Sequence, residues 1–372
     1  MTDVRVQKFA QILTEHSVRV EPGDRILIEA TTAAGPLVRE LYLQILERGG
    51  HPVPLLQFSD MFFPLHEDLL TLKGSDQQLD FVPPFHKLAY EQFEGRVRIH
   101  SITNSRSQGN MDPSRSQRRG KATGIITEMQ MRRGASQEFK WCTTLYPTDA
   151  YAQDAGMSLG EFEDFVFGAV HAGEPDPIQY WRSTETSQQR AIDWLKGKDK
   201  LRLRGPNVDL TLSVKGRKFM NSTGVYNMPD GEIYTGPVEN SADGWVRFTY
   251  PAIYGGVAVE GAQLRFKDGR VETATAEKNQ EYLLSMIDSD AGARYLGEFA
   301  IGTNFDIDRF TGNILFDEKI GGSFHMALGA GYPETGSKNQ SAIHWDMICD
   351  LRNQSEILAD DQLFYKDGQF VF

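Results

Sequence analysis

Residues 25–58 read RILIEATTAAGPLVRELYLQILERGGHPVPLLQF, and this stretch decides the fold class. Arg25-Ile26-Leu27-Ile28-Glu29 is a short apolar run of the kind buried on both faces of a sheet. Thr31-Thr32 supplies a helix cap, and Leu37, Val38, Leu41 and Ile45 then recur at helical spacing. Gly49-Gly50 stops that helix, and Pro52–Phe58 opens a second strand. Strand, helix, strand in so short a span predicts a parallel α/β layer. Upstream, Phe9, Ile12 and Leu13 predict an amphipathic helix over 4–18, and Pro22-Gly23-Asp24 a turn. Downstream, strands are expected at Val97–Thr103 and Trp141–Leu145, with helices near 113–133, 158–170 and 177–196.

The pattern changes near Lys196–Lys200. From there to about residue 273 the chain is rich in Thr, Val, Tyr and Gly in short alternating runs: Leu201–Leu203, Val208–Val214, Trp245–Tyr250 and Gln263–Phe266. Lys267-Asp268-Gly269-Arg270 is a tight-turn signal between strands, and a helix follows near 276–288. The expected architecture is α/β: an N-terminal α/β domain (1–190) with a mainly parallel sheet, and a C-terminal α+β metal-binding domain (191–372).

Composition limits the function. The 372 residues, 40% hydrophobic and 24% charged, describe a globular chain of two or three domains. A formal net charge of −12 repels nucleic acid and anionic membranes, and favours cations. Two cysteines, Cys142 and Cys349, are too few for a disulfide framework or a thiolate zinc site. With no apolar stretch of membrane length and no signal-peptide core at the start, the expected location is cytoplasmic. The basic run Arg115, Arg118, Arg119, Lys121, Arg132, Arg133 reads as a solvated helix face more readily than as an anion site. His66-Glu67 fails as a zinc-protease motif because Leu70 stands where the second histidine belongs. Gly321-Gly322-Ser323-Phe324-His325 fails as a nucleophile elbow for want of its last glycine. No Walker A or dinucleotide-binding glycine pattern occurs.

The chemistry gathers in the C-terminal half. In a strand, His344 and Asp346 share a face and form half of a divalent-metal site, although the same pair also suits a structural hydrogen bond. A glycine-punctuated loop, Gly329-Ala330-Gly331-Tyr332-Pro333-Glu334-Thr335-Gly336, separates His325 from His344. Glu232 follows the turn Pro229-Asp230-Gly231, and Glu298 lies inside the apolar segment Gly297–Gly302, where a carboxylate must be paired or ligated. Glu232, Glu298, His325, Tyr332, His344 and Asp346 together supply oxygen and nitrogen ligands enough for two divalent ions, which would polarise a carbonyl and activate a water.

At these residues the sequence resembles the thermophilic metalloaminopeptidase family, in blocks that run through the chain. They are VEPGDRIL (20–27), NMPDGEIYTGPV (227–238), YPAIYGG (250–256), GEFAIGTNFDIDRFTGNILFDEKIGG (297–322) and AGYPETGSKNQSAIHWD (330–346). The resemblance implies that the six residues ligate two divalent ions (zinc, cobalt or manganese). It also implies a homodimer that releases N-terminal residues from peptides with a free N-terminus. In the expected mechanism Tyr332 stabilises the oxyanion as a ligand or a hydrogen-bond donor, Glu298 is the bridging carboxylate, and a carboxylate, Glu232 or another of the set, moves the proton to the leaving amine. Gln340 departs from the family pattern, which places an acid there. Two other readings remain: a mononuclear iron(II) ring-cleaving dioxygenase similar to the dihydroxypyridine dioxygenases, using His325, His344 and Asp346, and a closed structural metal clamp.

Overall fold

The computed structural model describes residues 3–58, 66–107 and 112–372. The chain divides into two compact units, Met1–Trp181 with Gly224–Pro229, and Arg182–Thr223 with Asp230–Phe372.

In the first unit five strands form one parallel sheet in the order His51–Gln57, Arg25–Thr31, Gly95–His100, Lys140–Leu145, Asn227–Met228. Pro52 and Pro54 cannot donate to a ladder, and they stand on the edge strand where that costs nothing. Ile26 and Ile28 pack with Phe9, Leu37 and Leu41 on one face, while Leu27 packs with Tyr90 and Phe139 on the other. A strand buried on both sides is why residues 26–28 are apolar without alternation. The helix Gly35–Glu47 buries Leu37, Val38, Leu41 and Ile45, as its spacing predicts. The helix Pro113–Ala135 carries the basic run, and the structure uses it differently from a solvated face. Arg118 pairs with Asp76 at 2.7 Å and Asp80 at 2.6 Å, Arg119 with Glu67 at 2.9 Å, and Arg115 donates to the Thr71 carbonyl at 2.7 Å. These arginines tie the short helices His66–Lys73 and Asp76–Leu79 to the long one.

Beside a two-stranded ribbon, Ala252–Tyr254 with Val257–Val259, the second unit holds two larger antiparallel sheets, one of eight strands and one of five. In the larger sheet, Lys200–Gly205, Val208–Ser213 and Gln263–Lys267 match the alternating runs in the sequence. Asp268 and Gly269 take φ of 49° and 81°, the left-handed pair that a two-residue hairpin needs. The strand expected over Trp245–Tyr250 instead occupies Asp243–Arg247, because the backbone amide of Thr249 turns to the carbonyl of Ile348. The smaller sheet runs in the order His344–Asp350, Ser323–Gly329, Leu296–Gly302, Glu232–Thr235, Met220–Ser222. Cys142 and Cys349 are buried and form no disulfide. Among the described residues, no helix is long and apolar enough to cross a membrane.

Candidate metal centre

Strand register places the polar residues of the smaller sheet. Glu298 lies opposite Ala327, and Ala327 opposite Asp346. Ala300 lies opposite His325, Gly329 opposite His344, and Gly302 opposite Glu232. Because side chains alternate with a period of two, Glu232, Glu298, His325, His344 and Asp346 all project from one face. Their neighbours Ile233, Phe299, Ile301, Phe324, Met326, Trp345 and Met347 project from the other and belong to the core of this unit. On the polar face the intervening positions are small: Ala300, Ala327 and Gly302. Five donors therefore surround space rather than bulk.

The histidines are held in the tautomer that a metal requires. Nδ1 of His325 lies 3.0 Å from the Glu318 carbonyl, and Nδ1 of His344 lies 2.7 Å from the Ala330 carbonyl. A carbonyl only accepts, so Nδ1 carries the proton and Nε2 faces the carboxylates. Glu298 stands between the two rings, with Oε1 3.9 Å from His325 Nε2 and Oε2 3.2 Å from His344 Nε2. Glu232 Oε2 is 3.5 Å from His325 Nε2, and Asp346 Oδ1 is 3.5 Å from His344 Nε2. Both of these oxygens are buried with no hydrogen-bonding partner. Two overlapping groups have ligand atoms all within 4.8 Å of one another: Glu298, His344 and Asp346, and Glu318, His325 and Asp346. Asp346 belongs to both.

Tyr332 reaches the same place from the loop that follows Ser323–Gly329. Its hydroxyl is 3.5 Å from His344 Nε2, and at 38% exposed it is the most open of the six residues. Its position depends on a close backbone approach. A Cβ on Gly331 would lie 2.0 Å from Ser337 Oγ and 2.9 Å from the Gly297 carbonyl, so no larger residue fits there. Gln340, in the same loop, is exposed.

Two partners escaped the sequence reading. Lys319 is 1% exposed, with Nζ 2.7 Å from Glu232 Oε1, 3.9 Å from Asp230 Oδ1 and in contact with Glu318. Glu318 lies on the wall beside His325. The signal was the run Asp317-Glu318-Lys319 set between Phe316 and Ile320, since charges in apolar surroundings are kept only when paired.

The electrostatics call for cations. Burial drives Glu232 well above the usual carboxylate range despite the attraction of Lys319, and the charges of Glu318, Glu298 and Asp230 push it the same way. Burial disfavours an imidazolium at His344, but Asp346 and Glu298 outweigh it and raise the pKa to about 11. Burial, then the charges of Glu298 and Asp346, also keep the Tyr332 phenol protonated. Five carboxylates, at Asp230, Glu232, Glu298, Glu318 and Asp346, face a single lysine. Unpartnered buried oxygens, oriented imidazoles and excess negative charge fit divalent metal ions held by oxygen and nitrogen.

The family model for thermophilic metalloproteases (M29) matches residues 2–370. Aminopeptidase 2 of Geobacillus stearothermophilus is 26% identical, over 92% of this chain and 91% of its own length. The solved structure of wild-type AmpT from Thermus thermophilus superposes with a TM-score of 0.84 at 21% identity, covering 99% of both chains. A 2,5-dihydroxypyridine dioxygenase from Pseudomonas putida superposes with a TM-score of 0.58 at 13% identity, over 99% of this chain and 96% of its own. At these identities the two superpositions establish the fold alone.

Proposed function

Because this chain belongs to the thermophilic metalloprotease family, we propose that it is a metal-dependent aminopeptidase acting on peptides with a free N-terminus, as a cytoplasmic homodimer. Relatives named aminopeptidases align over nearly their full length. The observation that carries the reading is the single face bearing Glu232, Glu298, His325, His344 and Asp346, with both Nε2 atoms turned inward and two carboxylate oxygens unpartnered. We assign these five residues and Tyr332 as ligands of two divalent ions, with the C-terminal part of the chain as the catalytic domain. Such ions, when bound, polarise the scissile carbonyl and activate a water.

The protein's own groups do the rest. Glu298, between the two imidazoles, and Asp346, common to both ligand groups, would be the carboxylates shared between the ions. The Tyr332 hydroxyl, 3.5 Å from His344 Nε2, would stabilise the oxyanion that develops on the carbonyl. Lys319 holds Glu232 Oε1, leaving Oε2 to carry a proton to the departing amine. Excess carboxylate at the site attracts the substrate's ammonium.

The test is hydrolysis of leucyl or alanyl nitroanilide before chelation, after chelation, and with zinc, cobalt or manganese restored, together with a metal count. Two ions per chain and metal-restored turnover are expected. One iron per chain with ring opening of 2,5-dihydroxypyridine would overturn the reading, as would full activity without metal.

A further inference from the structure

The parallel sheet of the first unit reverses its winding beside Arg25–Thr31, with His51–Gln57 on one side and Gly95–His100 on the other. Open α/β sheets bind ligands at such a reversal, in the crevice beyond the carboxyl ends of the strands. A cavity of about 450 Å³ lies there, and residues 29–31, 55, 57 and 98–102 from those strand ends line it with the helix Pro113–Ala135. This volume suits a small ligand.

The lining itself is balanced in charge, Arg98 and Arg119 against Glu29 and Glu67, and the buried Arg96 behind it adds one positive charge, in a chain of formal net charge −12. Glu29 is the single carboxylate set between Arg98 at 2.9 Å and Arg96 at 3.8 Å. Arg119 and Glu67, also on the wall, cancel each other at 2.9 Å. Arg98 gives Nε to Glu29 and one terminal nitrogen to the Tyr90 hydroxyl at 2.8 Å, which leaves N–H capacity toward the cavity. Gln57, His100 and Thr127 line the same space and make no side-chain hydrogen bond among the described residues. Burial and the nearby Arg98 and Arg96 depress His100 to about 4, so its ring is neutral and offers one donor and one acceptor. Leu55 and Ile126 supply apolar wall. Beyond Leu55, a neighbouring cavity of about 500 Å³ is lined by Leu70, Phe81 and Phe85.

We propose that this cavity, built from the first unit's own residues, is a second binding site for a small organic carboxylate with a compact apolar group. The carboxylate sits on Arg98 and His100, and the apolar group sits against Leu55 and Ile126. One excess charge matches a carboxylate monoanion better than a phosphate dianion.

The test is calorimetric titration of the intact, metal-loaded chain with three probes: N-acetyl-leucine, its uncharged amide N-acetyl-leucinamide, and inorganic phosphate. Saturable binding of N-acetyl-leucine, at least about tenfold tighter than the amide, is expected, since that ratio is the roughly 1.4 kcal/mol of one charge-assisted contact. His100→Phe, which fills the cavity, and Thr127→Phe, which changes an exposed position, should each abolish binding and leave metal content and peptidase turnover unchanged. Absence of saturable binding, equal binding of the amide, preference for phosphate, or binding unaltered in both variants would each overturn the proposal. The last outcome would place the carboxylate elsewhere, at the metal centre for instance.

Discussion

Lys319→Met gives the sharpest test of how the metal centre is built. The lysine is 1% exposed, and its ammonium lies 2.7 Å from Glu232 and 3.9 Å from Asp230, against Glu318 as well. Methionine fills much of the same volume without charge, so packing is largely conserved while the carboxylates lose their cation. Removing one partner of a buried ion pair costs about 3–5 kcal/mol. For a unit of this size each kcal/mol moves Tm by roughly 2–4 °C, so the metal-free variant should melt about 6–20 °C below the metal-free parent. With divalent metal bound, positive charge returns to the same carboxylates and the gap should narrow. Differential scanning calorimetry of both proteins, with and without metal, measures this. A metal-free variant that melts with its parent would refute the reasoning, as would an equal loss in both states.

Three further outcomes follow from the same geometry. Glu298→Ala removes the carboxylate that stands between His325 and His344, so bound metal by elemental analysis and nitroanilide turnover should fall together while far-UV circular dichroism holds. Gly331→Ala drives a Cβ into Ser337 and shifts Tyr332; a displacement near 1 Å should lower kcat by about 10²-fold with metal content intact, and turnover within threefold of the parent would count against the Tyr332 assignment. His100, facing Arg98, Arg96 and Glu29, has its folded pKa depressed to about 4 from the ordinary histidine value of 6.5. Its neutral form therefore contributes stability that is present above pH 6.5 and lost as pH falls through 4. His100→Gln should flatten the fall in Tm between those values, and an unchanged slope would contradict the lowered pKa.

What the sequence made legible was whatever repeats locally. Apolar residues at 37, 38, 41 and 45 marked a helix face, and the run at 26–28 marked a buried strand, because both signals are set within a few residues. Glu298 was harder. Its neighbours Phe299, Ala300 and Ile301 alternate large and small, but the segment is apolar throughout, and only the pairing with Ser323–Gly329 shows which side chains face the core. The charged run at Lys319 signalled that it is paired, but not with what. It comes to Glu232 from 87 residues away, and nothing near it in sequence announces that partner. The basic run misled in the opposite direction, since a charge pattern alone cannot show that Asp76, Asp80 and Glu67 lie across from it.

The smaller sheet serves two ends with one register, and that has a consequence for metal removal. Phe299, Ile301, Phe324, Met326 and Met347 pack the core from one face, while the ligand residues leave from the other. Slipping a strand by one residue would exchange the two sets, so core burial itself fixes where the carboxylates and imidazoles point. The reverse dependence is weak, because the apolar face is packed whether or not a cation sits on the polar one. Small zinc modules unfold when stripped, since metal binding is most of their folding energy. Here chelation should instead remove only the linkage contribution, about 4 kcal/mol for each ion at a thousandfold excess of metal over its Kd. Near-UV circular dichroism of the chelated chain should therefore stay close to native while Tm falls and activity disappears. Collapse of the near-UV signal on chelation would show that the ligand face holds the core together, contrary to the register argument.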